Sequence, residues 1–176
     1  MTNLLFLCGS LRAASSSRAL AQTLMDRIAD RADSELADIG ALPHYNADVE
    51  GDPTVAAFVE KVGAADGVVF VTPEYNYSIP GLLKNAIDWA SRPAFESVFK
   101  GKRCLVATVS GGATGGVRAQ SHLKYTLNGM LARVHLDKEI VVPFANAKVE
   151  DGTFTDADIL SFAGAQLDDF LGTLGT

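Results

Sequence analysis

Residues 67–90 read GVVFVTPEYNYSIPGLLKNAIDWA and contain, in that order, a strand, a loop and a helix. Residues 67–72 are apolar almost throughout, which is typical of a strand covered on both faces. Residues 73–81 carry the turn formers of a loop, with Pro73 and Pro80 near its two ends. From Leu82 onwards apolar residues recur at helical spacing, and Ser78 with Pro80 is expected to open this helix. The stretch predicts one unit of a fold in which strands and helices alternate.

The same alternation continues on both sides of this stretch. Further strand-like runs cover residues 4–8, 34–39, 104–109 and 136–142. Apolar residues at helical spacing cover residues 20–28, 55–62, 123–134 and 159–174, the last stripe including Phe162. Asp52-Pro53 marks the start of the second helix, and Thr155 with Asp158 has the form of a capping box for the last one. The pattern predicts an α/β fold, a single domain over residues 1–176 whose parallel sheet is wrapped on both sides.

Composition and charge exclude several classes of function. The chain has 176 residues, is 48% hydrophobic and carries a formal net charge of -6. An acidic chain without a basic run lacks the electrostatic footprint for nucleic acid or an anionic membrane. Its apolar runs fall short of the roughly 20 residues that span a bilayer, and its first residues lack the features of a signal peptide. We expect a cytoplasmic protein with no nucleic acid and no membrane partner, in which Cys8 and Cys104 pack as small apolar residues.

The loop after the first strand, GSLRAASSS at residues 9–17, has the composition of an anion site. It offers four hydroxyls, the Arg12 guanidinium and the free amides of a helix start. Only one glycine of a dinucleotide fingerprint is present, so a terminal monophosphate suits the loop better than a pyrophosphate. For Ser17, a role as helix cap is an equal alternative. A phosphatase that uses Cys8 is disfavoured, because Ala14 stands where the phosphate-binding arginine would be needed.

Two further loops should meet the first one, because the carboxyl ends of parallel strands lie at one edge of a sheet. Residues 72–81 combine prolines, amides and aromatic rings, which suits the polar edge of a planar ligand. Tyr77 in this loop is expected to pack as an ordinary aromatic residue. Residues 110–118 contain four glycines, which permit close approach of the backbone to a flat face. The sequence therefore predicts a site for a planar ligand that carries a phosphate.

Three motifs resemble a known family. They are Gly9-Ser10-Leu11-Arg12-x-x-Ser15, the string from Pro73-Glu74-Tyr75-Asn76 through Pro80-Gly81-x-Leu83-Lys84-Asn85-Ala86-x-Asp88-Trp89 to Ser91-Arg92-Pro93, and Ser110-Gly111-Gly112-x-x-Gly115-Gly116-x-Arg118-x-Gln120. Together they are similar to the NAD(P)H-dependent FMN reductase family, which includes quinone and chromate reductases. The string over residues 73–93 is long and diagnostic, and the resemblance spans nearly the whole chain.

The resemblance implies a flavodoxin-like three-layer sandwich with a five-stranded parallel sheet of order 2-1-3-4-5 and FMN at the strand ends. The implied phosphate contacts are Ser10, Arg12 and Ser15, joined by Ser16 and Ser17 of the same loop, although Ser17 stands where the family often carries asparagine. Pro73, Glu74, Tyr75 and Asn76 would hold the isoalloxazine edge, and Ser110, Gly111 and Gly112 would line its far side. The resemblance also implies a homodimer or homotetramer, with the helix of Asn85, Asp88 and Trp89 at the interface.

The implied activity is an FMN-dependent oxidoreductase that transfers hydride from NADPH or NADH to quinones, free flavin or similar small acceptors, chromate included. Reductant and acceptor would use one open face in turn, by a ping-pong mechanism. No metal-ligand spacing and no catalytic acid or base pattern occurs, so FMN is expected to carry the chemistry, and His44, His122 and His135 are interpreted as surface or structural residues. The alternative is a flavodoxin-type one-electron carrier without nicotinamide activity. Arg12 and the string over residues 73–93 argue against that alternative.

Overall fold

The computed structural model describes residues 1–174, so the last two residues of the predicted domain, 175 and 176, lie outside the described part. The strands are β1 Thr2–Cys8, β2 Ala32–Leu36, β3 Gly67–Thr72, β4 Arg103–Val109, β5 Arg133–Val134, β6 Ile140–Val142, β7 Val149–Glu150 and β8 Thr153–Phe154. The α-helices are α1 Ser16–Arg27, α2 Pro53–Ala64, α3 Gly81–Ala90, α4 Val117–Gly129 and α5 Ala157–Thr173. None of these helices is long and apolar enough to cross a membrane.

The main sheet is parallel and has the order β2-β1-β3-β4-β5, with β6 also paired to β4. The predicted flavodoxin-like order is therefore confirmed. Alternate residues of β1 enter two separate cores: Leu4 and Phe6 pack with α1 and α5, whereas Leu5 and Leu7 pack with α2, α3 and α4. Because helices cover both faces, the strands can be apolar throughout, as the sequence pattern predicted. The three-layer arrangement places the carboxyl ends of the strands at one edge.

The fifth predicted strand differs from the structure. Residues 136–142 were expected to form one strand, but β5 lies earlier, at Arg133–Val134, and β6 begins only at Ile140. Between them the chain leaves the sheet, because Asp137, Lys138 and Glu139 remain in solvent and Leu136 is 77% exposed. The second strand likewise ends at Leu36 instead of residue 39, since Asp38 turns the chain by accepting from the amide of Gly40 at 3.2 Å.

The starts of the helices follow the predictions in part. Asp52 caps α2 through the amides of residues 54 and 55, with Pro53 at the first position, as expected. The capping box at Thr155 is wrong, because Asp156 accepts from the amide of Ile159 at 3.0 Å and so caps α5. Ser78 does not cap α3, which begins at Gly81 without a side-chain cap. Its hydroxyl instead lies 3.0 Å from Nδ1 of His122.

Two large side chains also differ from expectation. Phe162 is 36% exposed, although it was placed in the apolar stripe of the last helix. Trp89, on the helix that the resemblance places at a subunit interface, is only 8% exposed within its own chain, and its Nε1 donates to the Pro43 carbonyl at 2.8 Å. Asn85, one turn earlier, donates to the same carbonyl and accepts from the amide of Tyr45. These polar groups of α3 therefore hold the segment after β2 within the chain itself.

Gly9 brings the first loop close to the end of the neighbouring strand. A Cβ at this position would lie 2.1 Å from Oγ1 of Thr72 and 3.2 Å from Pro73. No side chain can be accommodated at such a separation, so only glycine lets β1 leave the sheet along this path. The loop after β1 thereby reaches the loop after β3, which places the predicted ligand residues side by side.

Candidate functional site

One cleft at the carboxyl edge of the sheet contains most of the predicted site. Ten of the twelve predicted residues line it: Ser10, Arg12, Ser15, Ser16, Ser17, Pro73, Glu74, Tyr75, Ser110 and Gly111. Asn76 and Gly112 do not line it. Val109 and Asn146 line it without having been predicted. The sheet topology thus joins three loops that are distant in sequence, and Asn146 adds a fourth segment.

The loop after β1 provides the polar end of the cleft. Ser15 caps α1, because its Oγ accepts from the amide of Arg18 at 3.4 Å. Ser17, the alternative cap, is 2% exposed and instead lines the cleft. Ser10 is also buried, and its Oγ accepts from the amide of Arg12 at 3.4 Å. The first amides of α1 have no acceptor within the helix, so hydroxyls, amides and a helix start converge on one point.

Arg12 supplies a positive charge to this end of the cleft. Its side chain is exposed, and within residues 1–174 it forms no ion pair with a carboxylate. Other arginines are already paired: Arg27 and Arg31 both contact Asp168, and Arg118 contacts Glu74. A guanidinium beside a hydroxyl-rich loop can bind a phosphate through charge-assisted hydrogen bonds. The donor set therefore fits a phosphate.

The loop after β3 forms a tight turn beside that polar end. The amide of Tyr75 donates to the Ser78 carbonyl at 3.0 Å, and the amide of Ser78 donates back at 3.1 Å. Asn76 and Tyr77 occupy the centre of the turn with φ of 49° and 67°, as a type I′ turn requires. Asn76 is therefore carried to the tip of the turn, away from the cleft. Tyr77 is 68% exposed within the chain, so it does not pack as the ordinary aromatic residue that was expected.

Glu74 uses its side chain for a purpose that its sequence position did not indicate. Its Oε2 accepts from the amides of Arg118 at 3.0 Å and Ala119 at 3.3 Å, and its Oε1 accepts from Nη1 of Arg118 at 3.1 Å. Helix α4 begins after Gly116, which offers no side-chain cap, so the carboxylate of Glu74 takes that role. The backbone of Glu74 thereby becomes fixed at the edge of the cleft.

The loop after β4 and the segment after β6 close the opposite side. Ser110 lines the cleft, and its Oγ accepts from the amide of Gly112 at 3.1 Å, which turns Gly112 away. A Cβ at Gly111 would lie 2.8 Å from Nδ2 of Asn146, so glycine permits this close contact. Asn146 in turn accepts from the Ser16 hydroxyl at 3.3 Å. Ligands bind beyond the carboxyl ends of the strands, and this rule could have found Asn146 if it had also been applied to the predicted strand over residues 136–142.

Cys8 lies directly below the first loop but does not act as an exposed nucleophile. Its side chain is buried, and Sγ donates to the Ser10 carbonyl at 3.6 Å. Burial raises the pKa of the Cys8 thiol, although the Ser10 contact and the charge of Arg18 oppose that rise. The thiol therefore remains protonated near neutral pH, which disfavours phosphatase chemistry. Cys104 is fully buried, and burial raises its pKa as well.

The residues that line this cleft, and not its volume, identify it as the candidate site. A larger hollow of about 690 Å³ lies beside Tyr45, Trp89 and Arg92, and another of about 540 Å³ lies at the opposite edge of the sheet near Lys102. Neither hollow is bordered by the strand ends from which several loops converge. Within residues 1–174, no three His, Cys, Asp or Glu residues are grouped so that they could hold a metal ion.

A parallel sheet of this order, with helices on both faces, defines a flavodoxin-like protein, and the lining of the cleft at its carboxyl edge is chemically suited to a phosphate-bearing planar ligand. Residues 2–147 match the family model described as NADPH-dependent FMN reductase. The chain belongs to this family.

Individual relatives agree with that assignment. NAD(P)H-dependent FMN reductase PA1204 of Pseudomonas aeruginosa is 48% identical over 122 residues, which are 68% of this chain and 65% of that protein. The match thus spans slightly less than two thirds of that relative. A quinone reductase of Escherichia coli K12 is 44% identical over 153 residues, 84% of this chain and 80% of that protein.

A solved structure extends the similarity to the whole fold. The flavoenzyme NAD(P)H:(acceptor) oxidoreductase FerB from Paracoccus denitrificans superimposes with a TM-score of 0.88 at 34% identity. The superposition covers 98% of this chain and 96% of that one. The two chains therefore share the same overall fold.

Proposed function

We propose that the chain binds FMN in this cleft and transfers hydride from NADPH or NADH to small acceptors such as quinones, free flavin or chromate. The observation that carries this proposal is the convergence of Ser10, Arg12, Ser15 and Ser17 with the rigid turn after β3 at one strand edge. FMN carries a phosphate at one end and a planar ring at the other, joined by a polar chain. The phosphate would lie at the loop after β1 and the ring at the turn after β3. The names of the relatives, which include FMN reductase and quinone reductase, support the same reading.

At the phosphate end, the chain's own groups bind and orient. The Arg12 guanidinium would bind the phosphate dianion, while the hydroxyls of Ser10, Ser15 and Ser17 surround it. The start of α1 adds its partial positive charge. Because Arg12 has no carboxylate partner among residues 1–174, no ion pair must be broken before a phosphate can bind. This end should therefore favour a phosphorylated flavin over riboflavin.

At the ring end, the backbone of Pro73, Glu74 and Tyr75 would present its N–H and C=O groups to the polar edge of the ring. The Glu74 carboxylate and the two hydrogen bonds of the turn hold this backbone in place before any ligand arrives. Little conformational entropy remains to be lost on binding. Ser110 and Gly111 would line the far side.

The reaction needs positioning more than a protein acid or base. FMN, when bound, supplies the capacity to accept a hydride and pass electrons on. The protein would hold one face of the ring against its loops and leave the other open, so that reductant and acceptor use the open face in turn. Such alternation is a ping-pong scheme, and initial rates should give parallel double-reciprocal lines.

Calorimetry tests the binding half of the proposal. FMN should bind one to one and at least tenfold more tightly than riboflavin, since charge-assisted hydrogen bonds contribute about 1.5 to 3 kcal/mol each. Arg12→Ala should remove most of that preference without altering the fold. Arg133→Ala is the matched control, because it deletes an exposed arginine at the other edge of the sheet. Equal affinities for FMN and riboflavin would mean that the loop after β1 does not bind phosphate.

Anaerobic mixing tests the catalytic half. The FMN-loaded protein should lose its flavin absorbance on addition of NADPH or NADH and regain it when a quinone is added. If neither nucleotide has an effect while a one-electron reductant bleaches the flavin, the chain is an electron carrier of the flavodoxin type. Intersecting double-reciprocal lines would instead point to a complex that holds both substrates at once.

Assembly and location complete the proposal. We infer a homodimer or homotetramer, supported by exposed apolar side chains near the ring end of the cleft: Tyr77 is 68% and Tyr125 82% exposed. We also place the protein in the cytoplasm, where thiols stay reduced, because both cysteines are free. Sedimentation of the FMN-loaded protein should show a species larger than one chain, and a monomer at full activity would contradict the assembly.

A further inference from the structure

The side chain of Asn146 touches the loops that form opposite ends of the cleft. Its Oδ1 accepts at 3.3 Å from the hydroxyl of Ser16, in the loop after β1 that should bind the phosphate. Its Nδ2 lies 2.8 Å from where a Cβ on Gly111 would be, in the loop after β4 that should line the far side of the ring. Asn146 also lines the cleft itself. Its amide group therefore lies between the phosphate end and the ring end.

The fold fixes the segment that carries Asn146 before any ligand binds. The amide of Phe144 donates to the Gly112 carbonyl at 3.2 Å, and the amide of Ala145 donates to the Ser110 carbonyl at 2.9 Å. The side chain of Ala145 is also fully buried in the core. Two backbone hydrogen bonds and one buried neighbour thus place Asn146 against the loop after β4.

Phe144, two residues earlier, has a backbone conformation that bulky side chains rarely adopt. Its φ of 52° and ψ of 35° lie in the left-handed region. Its ring is 57% exposed, so packing in the core does not explain this conformation. Strained residues persist where the surrounding structure imposes them, and they are concentrated at functional sites. Here the unusual conformation turns the chain after β6 towards the cleft, and Asn146 follows directly.

The amide of Asn146 has a donor to offer to a ligand. Its Oδ1 is occupied by Ser16, whereas its Nδ2 donates to no group of residues 1–174. At the phosphate end Arg12 already supplies the charge, and at the ring end the backbone of the turn after β3 supplies polar groups. The part of FMN that joins its two ends is the ribityl chain, whose hydroxyl oxygens accept hydrogen bonds. A neutral N–H donor between the two ends of the cleft suits such an oxygen.

Ser16 has a different part from the other serines of its loop. A serine hydroxyl carries a single proton, so a Ser16 that donates to Asn146 cannot also donate to a phosphate. The contact instead fixes which way the Asn146 amide faces, with its oxygen towards α1 and its N–H groups free.

We propose that Asn146 is a further cofactor-binding residue, whose Nδ2 donates to a hydroxyl oxygen of the ribityl chain, and that Ser16 is the positioning residue that orients it. The inference rests on the proposed function. It adds recognition of the chain between phosphate and ring, which the loops after β1 and β3 leave uncovered.

Three flavins that differ by one part each test the proposal. Lumiflavin has the ring alone, riboflavin adds the ribityl chain, and FMN adds the phosphate. Titrations followed by flavin fluorescence should show that Asn146→Ala weakens FMN and riboflavin by the same factor, about fivefold, because one neutral hydrogen bond is lost. Lumiflavin should bind as before. Arg12→Ala, by contrast, should weaken FMN alone. Asn128→Ala is the matched control, since Asn128 is an exposed asparagine near the end of α4, and it should change none of the three.

The positioning role of Ser16 has its own signature. Ser16→Ala should weaken FMN and riboflavin by equal factors, less than Asn146→Ala does, and the double variant should bind no more weakly than Asn146→Ala alone. Additive losses would mean that Ser16 contacts the flavin independently and would overturn the positioning role. A loss confined to FMN in Asn146→Ala would assign Asn146 to the phosphate, and an equal loss for all three flavins would make it a structural residue. Either result would overturn the proposal.

The unsubstituted chain separates this inference from the proposed function. If it binds none of the three flavins, the proposed function fails and the role of Asn146 fails with it. If it binds FMN and Asn146→Ala binds all three flavins equally well, the proposed function holds and only the role of Asn146 fails.

Discussion

Glu74 and Arg118 are 44 positions apart in the chain, yet one carboxylate binds both the amide and the guanidinium of the other residue, at 3.0 and 3.1 Å. The contact joins the loop after β3 to the first turn of α4. The Arg118 guanidinium also lies 4.5 Å from the centre of the Tyr77 ring. This distance is short enough for a cation–π interaction, so Arg118 is held between a carboxylate and an aromatic face. The loop that should hold the ring of FMN is therefore anchored to a helix.

This anchor predicts a graded effect of substitution. Glu74→Ala removes the cap of α4 and the ion pair, and should lower the free energy of unfolding by about 1 to 2 kcal/mol. Glu74→Gln retains an oxygen for the helix amides and should lose less. Both variants should weaken FMN binding, because the turn after β3 loosens. Urea unfolding and calorimetry measure the two effects; equal losses of stability for Ala and Gln would contradict the capping role.

Ser15 and Ser17 should differ although both line the same cleft. Ser15→Ala removes the cap of α1, and we expect the free energy of unfolding without ligand to fall by about 1 kcal/mol. Ser17→Ala removes a hydroxyl that caps nothing, so stability should stay within experimental error. Both variants should bind FMN less tightly. A stability loss in Ser17→Ala that matches the loss in Ser15→Ala would restore the capping alternative for Ser17.

Trp89 should behave as a core residue. Its ring is 8% exposed and meets Tyr45 edge to face at 4.9 Å between ring centres. Trp89→Ala should therefore cost about 3 to 5 kcal/mol of unfolding free energy. Trp89→Phe keeps an aromatic ring but loses the hydrogen bond to Pro43, and should cost about 1 kcal/mol.

Sedimentation of Trp89→Phe provides the control for this prediction. The number of chains in its assembly should equal that of the unsubstituted protein, because the lost hydrogen bond lies within one chain. A smaller assembly would place Trp89 at a subunit interface.

Asp168 should make stability depend on acid. Partial burial disfavours its charge, but hydrogen bonds from Arg31 and Arg27 outweigh burial and lower the pKa of this carboxyl below its ordinary value. A carboxyl with a lowered pKa in the folded state stabilises the fold above its ordinary pKa of 3.8 and loses that contribution as the pH falls through the folded value. Asp168→Asn should therefore cost up to about 1 kcal/mol at pH 7, since the pairs are largely exposed.

The pH dependence distinguishes this ion pair from a packing effect. The difference in unfolding free energy between the natural chain and Asp168→Asn should shrink towards zero below pH 3.8. Asp30→Asn is the control, because Asp30 lies 3.6 Å from Arg31 but is far more exposed than Asp168, so its loss should change stability little at any pH. A difference that stays constant with pH would show that Asp168 acts through packing.

Local chemistry was enough to predict the types and order of the first four strands and the five helices, but not the positions of β5 and β6 or the pair β7 and β8. The uninterrupted apolar runs of β1, β3 and β4 require cover on both faces, and the helical spacing in between supplies it. The same reasoning located the loops after those strands, because their residue types suit a phosphate and a planar ring. The resemblance of residues 73–93 added the order of the strands and the identity of the ligand. Ten of the predicted residues consequently line one cleft.

Side-chain partners distant in sequence were not predictable in this way. Nothing near Glu74 in the chain indicates that its carboxylate caps α4, and nothing near Trp89 indicates that Pro43 accepts its N–H. β5 pairs with the start of β4 and β6 pairs with its end. The break between β5 and β6 therefore depends on whether residues 137–139, which connect the two strands, can remain hydrated. Asn146 enters the cleft only because β6 ends at the same edge as β1. Composition and periodicity report what one segment needs to bury, whereas these features depend on which segments meet, and only the folded chain decides that.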